Sequence, residues 1–118
     1  MSGPARVGAI STVKAYELGQ GEGSAVSTLR VQFQDDGVFD GSVTLKARAQ
    51  RGSNSDILRT VLAVPYINTE TGDVSTAAIT GDLLILVDAS GLVLYGDCTT
   101  VTTGSLAFTS IPLLGTLP

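Results

Sequence analysis

The amino-acid sequence predicts an all-β chain, an antiparallel β-sandwich of about eight short strands forming a single domain over residues 1–118. Three observations carry that expectation. Apolar and polar residues alternate over short runs, glycine- and aspartate-rich turn strings recur roughly every 8–12 residues, and no stretch repeats with helical spacing.

The first segment, Val7 to Leu18, sets Val7, Ala9, Ser11 and Val13 on one side and stops at Gly19-Gln20-Gly21-Glu22-Gly23, a loop by its glycines. Ser27 to Gln34 alternates cleanly, with Leu29, Val31 and Phe33 opposite Arg30, Gln32 and Gln34, as a strand with one wet face does. After Asp35-Asp36-Gly37 the alternation resumes, with Val43, Leu45, Ala47 and Ala49 opposite Thr44, Lys46, Arg48 and Gln50. These two runs are expected to pair as a hairpin across a long connection. Arg51-Gly52-Ser53-Asn54-Ser55-Asp56 reads as an exposed loop. Thr60 to Ile67 reads as a strand that Pro65 confines to an edge or breaks, because proline cannot donate to a ladder. Asn68 to Asp73 is a further loop, followed by Val74 to Thr80.

Leu83-Leu84-Ile85-Leu86-Val87 is apolar on both faces. It suits either a central strand or one whose outer face a neighbouring subunit covers. Asp88-Ala89-Ser90-Gly91 forms a turn before Leu92 to Tyr95. The β-branched Thr99 to Thr103 fits a pleated sheet, and Thr102 to Ser105 turns the chain into Leu106 to Leu113. Immunoglobulin-like and jelly-roll connections both fit this succession.

Composition narrows the functional classes. The chain has no histidine, no tryptophan and a single cysteine, so it lacks the side chain best suited to moving protons near neutrality. No histidine is present to activate a serine, and no phosphate-cradling or dinucleotide motif occurs; neither an enzyme nor a cofactor is expected. Asp35, Asp36 and Asp40 bend around Gly37, but their spacing is not that of a calcium loop, and a turn is the expected use with no metal. Tyr16 and Tyr66 are expected in the core or its rim, with an exposed recognition patch as the alternative. Cys98 is expected as a small buried hydrophobe, with pairing between chains as the alternative.

A net charge of −4 with scattered basic residues argues against nucleic acid. No stretch approaches the roughly 20 apolar residues of a membrane helix, and Met1 to Arg6 lack the apolar core of a signal peptide. No membrane partner and synthesis in the cytoplasm are expected. Charged residues make up only 15% of the chain, against roughly 25% in an average soluble domain. Depletion of charge marks surface covered by other subunits.

Phe39-Asp40-Gly41-Ser42-Val43-Thr44-Leu45-Lys46-Ala47-Arg48, followed by Leu83 to Asp88 and Ala89-Ser90-Gly91-Leu92, resembles small β-sandwich structural proteins of tailed bacteriophage virions. There a Phe-x-Gly-x-Val-x-Leu strand and a Val-Asp-Ala-Ser-Gly-like turn recur, and the resemblance covers about half the chain. It implies a non-enzymatic virion part made in the host cytoplasm. The first implication is a capsid decoration or cement protein that self-associates, as a trimer or another symmetric assembly, and binds the major capsid or other virion proteins. A head-to-tail or tail component is the alternative within that family. A monomeric adhesion or carbohydrate-binding module, reading its ligand through the loops at Gly19 to Gly23, Arg51 to Asp56 and Asn68 to Asp73, is the alternative outside it.

Leu84, Ile85 and Leu86 of the doubly apolar run, and Ile111, Leu113, Leu114 and Leu117 of the C-terminal segment, are the residues expected at an assembly interface. Residues 1–6 and 111–118 are the candidates for short arms on a neighbour, the second with the alternative of a last strand closing over its own core.

Overall fold

A computed structural model describes residues 6–20, 26–49, 64–89 and 92–114. Among them are nine strands and no helix: β1 (Arg6–Ile10), β2 (Ala15–Gln20), β3 (Val26–Asp35), β4 (Asp40–Ala49), β5 (Tyr66–Asn68), β6 (Val74–Ser75), β7 (Leu83–Asp88), β8 (Leu92–Thr103) and β9 (Leu106–Leu114). Six form one antiparallel sheet in the order β1-β9-β3-β7-β5-β6, and three form a second in the order β2-β8-β4. The antiparallel β-sandwich is therefore the observed fold.

Alternation places the core. Leu29, Val31 and Phe33 of β3 and Ile85 and Val87 of β7 point in from the larger sheet, and Val43 and Leu45 of β4 with Leu94 of β8 point in from the smaller one. Each fully buried side chain of this kind stabilises by roughly 1.5–3 kcal/mol. Among the described residues there are two ion pairs, Arg6–Glu17 at 3.0 Å and Lys46–Asp97 at 2.6 Å, and an exposed pair such as the first contributes about 1 kcal/mol or less. The interior holds the two sheets together, not the charges.

Several connections differ from the sequence reading, for one reason: consecutive strands mostly enter opposite sheets. Val7 to Leu18 is two strands in different sheets, joined at a corner where the Tyr16 hydroxyl accepts the Ser11 and Thr12 backbone N–H at 3.1 and 3.0 Å. The expected hairpin of β3 with β4 does not form; β3 pairs with β7 and β9, and β4 pairs with β8. Leu92 to Thr103 is one twelve-residue strand. Pro65 lies at a crossing between sheets, where no ladder bond is required of it. Val64 before it donates to the Leu45 carbonyl at 2.9 Å, on the smaller sheet, and Tyr66 after it belongs to the larger. Ile79 exchanges two backbone bonds with Val43, so the free side of β4 is occupied rather than left as a pairing template.

The β3–β4 corner uses the aspartates that a calcium loop would have needed. Asp35 Oδ1 accepts the Gly37 and Phe39 N–H at 2.7 and 3.1 Å, and Asp36 Oδ1 accepts the Val38 N–H at 3.0 Å. Asp36 Oδ2 accepts the Ser105 N–H at 2.9 Å, while Asp82 Oδ1 accepts the Asp35 N–H at 2.6 Å. Asp36 thus ties the β3–β4 connection to the β8–β9 connection. At the latter, Gly104 has φ +78°, and a Cβ there would lie 2.6 Å from the Phe39 backbone nitrogen. Nearby, β4 is irregular against β8 at Asp40/Gly41 and at Ser42/Val43. Thr99, Thr102 and Thr103 donate their hydroxyls to the carbonyls of Ser42, Asp40 and Val38, at 3.3, 3.1 and 2.8 Å.

Two predictions follow from the corner. Gly104→Ala should destabilise the protein by at least about 1–3 kcal/mol, read as a lowered urea midpoint, because it adds backbone strain to a steric clash. The Val38 N–H bond, with those from Ser105, holds the Asp36 carboxyl below its ordinary value despite slight desolvation. A depressed folded-state pKa gives stability that is complete above the unfolded value and lost as pH falls through the folded one. In an NMR titration the Val38 and Ser105 amides should therefore shift together, with a midpoint below the ordinary aspartate range; a midpoint at or above that range would contradict the tie.

Candidate assembly surface

Strand pairing decides which of the expected interface residues share a surface. In β7, Ile85 and Val87 are fully buried, so Leu84 and Leu86 point away from the core and are half-buried. In β9, Leu106, Phe108 and Ser110 point in, which turns Ala107, Thr109, Ile111 and Leu113 out. Strand β3 runs between these two. Gln32 is opposite Leu84 on one side and Thr109 on the other, and Arg30 is opposite Leu86 and Ile111. Leu84, Leu86, Ile111 and Leu113 therefore lie on one face, the outer face of the six-stranded sheet, as two apolar stripes on either side of a polar spine.

The stripes extend to the sheet edges. Ile67 of β5 is opposite Leu86 and is in turn opposite Val74 of β6, which is 69% exposed. Leu86, Ile67 and Val74, with Pro65, line a shallow apolar depression of about 160 Å³. At the other edge Val7 of β1 pairs with Thr109 and is 72% exposed. Sequence reading missed Ile67, Val74 and Val7 because β5 and β6 are only three and two residues long, and because only the pairing order brings the chain's first strand beside its last.

Three expectations are corrected or fall outside the described residues. Ile85 is not an interface residue: at 0% exposure it is a core side chain, since one face of β7 must close the sandwich. Ile111 to Leu114 are not an arm, because they complete β9, and Leu113, Pro112 and Ile111 are opposite Thr28, Leu29 and Arg30. Arg6 likewise belongs to β1. The Leu114 side chain, Leu117, and residues 1–5 and 115–118 lie outside what is described.

The competing sites are occupied by structural work. Tyr66 is 5% exposed and donates its hydroxyl to the Ala77 carbonyl at 3.0 Å. Burial pushes the Tyr16 phenol up, but its bonds with Thr12 and Ser11 outweigh that and hold it below its ordinary value. The Asn68 to Asp73 loop is a tight turn, closed by Gly72 N–H donating to Asn68 O at 2.7 Å and hung on β7 by Thr69 Oγ1 donating to Leu84 O at 2.8 Å. The Gly19 to Gly23 loop begins inside β2, and its residues 21–23, like the Arg51 to Asp56 loop, lie outside the described residues. Cys98 is fully buried, which rules out pairing between folded chains, and burial followed by the neighbouring Asp97 charge pushes its thiol up. Among the described residues, the buried Ser110 hydroxyl has no hydrogen-bond partner.

The arrangement is a two-sheet antiparallel β-sandwich with an apolar outer face. No protein-family model matches the chain, and no curated protein sequence matches it. Among solved structures, the crystal structure of the SPBc2 prophage-derived protein YomS is similar, with a TM-score of 0.60 over 93% of this chain and 95% of that one, at 12% sequence identity. The likeness is one of fold.

Substitutions separate the two faces of β7. Ile85→Asp buries an unpaired charge, a penalty comparable to the roughly 5–15 kcal/mol stability of a whole domain, and should leave the chain without a cooperative melt. Leu84→Asp should melt cooperatively with a loss of about 1 kcal/mol. Ser110→Ala should be neutral or stabilising by thermal melt, since it removes a polar group with no partner.

Proposed function

We propose that the chain is a non-enzymatic structural protein of a tailed bacteriophage virion, and more specifically a capsid decoration protein that stabilises the particle through contacts among its own copies and with the capsid. The observation that carries this reading is the outer face of the six-stranded sheet, where Leu84, Leu86, Ile111 and Leu113 flank Arg30 and Gln32. Such a face is apolar enough to hold a neighbour and polar enough at its spine to fix the neighbour's position. The fold shared with a prophage-derived protein supports a phage origin, as does the resemblance of residues 39–48 and 83–92 to virion β-sandwich proteins. A charge-poor composition supports assembly in many copies.

The test is the composition of purified particles. Virions banded on a density gradient, from a phage or induced prophage encoding this chain, should contain it in a fixed ratio to the major capsid protein, measured by quantitative mass spectrometry. Recovery of the chain only in the soluble lysate would overturn the reading. Recovery with tails separated from heads would move it to the tail.

A further inference from the structure

The apolar face also points to a particular partner. We propose that it binds a second copy of this chain, face to face, about a two-fold axis that runs across the strands and passes between the Arg30 and Gln32 rungs. The proposal deepens the assembly reading and rests on it.

The first support is area. The six strands hold 35 residues, and at spacings of about 4.8 Å between strands and about 3.3 Å along them they make a face of about 550 Å², so two such faces exclude on the order of 1,000 Å² from water. That reaches the lower bound for a specific interface, so the whole face is needed. The second support is the charge on the spine. Arg30 is exposed, lies between Leu86 and Ile111, and forms no ion pair among the described residues. A two-fold axis along β3 would set Arg30 against Arg30 of the partner subunit, a like-charge contact that opposes association. An axis across the strands, between the two rungs, sets Arg30 against Gln32 of the partner subunit, whose side-chain carbonyl accepts from a guanidinium.

The same operation brings Leu86 over Leu84 of the partner subunit and Ile111 over Thr109 of the partner subunit. Leu84 and Leu86 then meet their own kind, and the contact is isologous and closed. Aligned packing of two sheet faces, within about 30° of each other, is an ordinary arrangement for twisted sheets.

The test uses the full chain. Cys98 is buried, so the native protein supplies no accessible thiol to confuse a cross-linking experiment. Gln32→Cys places a thiol one rung from the axis, with its copy in the partner subunit about 12 Å away, and a short bis-maleimide should convert most of the protein to a cross-linked dimer. Thr99→Cys, exposed on the other sheet, should stay monomeric under the same treatment. Adding Leu84→Asp to Gln32→Cys should abolish the cross-link while the melt stays cooperative. Gln32→Lys should weaken association at least tenfold in sedimentation equilibrium, because it sets a cation against Arg30 of the partner subunit, and Arg30→Glu with Gln32→Lys should recover it.

Absence of the Gln32→Cys dimer, equal cross-linking at Thr99→Cys, or failure of the double variant to recover association would each overturn the proposal. If the dimer fails while the wild-type chain still bands with particles, the virion reading stands and a different protein covers the face. If the dimer forms while the chain is absent from particles, the dimer stands and the virion reading falls.

Discussion

Strand β3 is the member on which the rest of the structure depends. It bonds to β9 on one side and β7 on the other, so every residue from Leu29 to Phe33 is committed twice, by register to two neighbours and by alternation to one of two faces. Leu29, Val31 and Phe33 must fill the core, and Arg30 and Gln32 must then lie outside, between the outward residues of β7 and β9. A slip of one residue would exchange those sets and bury Arg30, a charge with no partner in an apolar interior. The register that closes the core is the register that composes the outer face.

The corners enforce this order. Among the described residues the β1–β2, β3–β4 and β8–β9 connections are short, and each has a definite device. Asp36 bonds to both the β3–β4 and β8–β9 connections, and Gly104 supplies a positive φ against the Phe39 backbone. The Tyr16 hydroxyl closes the β1–β2 corner. Asp35 and Asp36 hold backbone N–H groups, the turn role that their place beside Gly37 predicts.

Much of the fold was legible in the sequence, because alternation is a local property and survives any choice of neighbour. The inward sets Leu29, Val31, Phe33 and Val43, Leu45, Ala47 are where their spacing puts them. Pairing was not legible, because adjacency along the chain does not reveal which sheet a strand enters. The continuity of β8 was hidden by Gly96 and Asp97, which look like a break. In the structure Gly96 faces the core, where a Cβ would lie 3.1 Å from Val43 and 3.5 Å from both Ile10 and Leu18, so a glycine within the strand leaves room for those three side chains. The apolar outer face was legible in part. The doubly apolar β7 flagged Leu84 and Leu86, but the contribution of Ile67, Val74 and Val7 depends on strand order alone.

The central proposal is that the outer face of the six-stranded sheet pairs with a second copy of this chain, and the mass of the protein in solution tests it most directly. Sedimentation velocity of the wild-type chain over a wide concentration range should show a species of twice the chain mass that gains population with concentration. A monomer throughout, up to concentrations at which an interface of about 1,000 Å² would hold, would contradict the account.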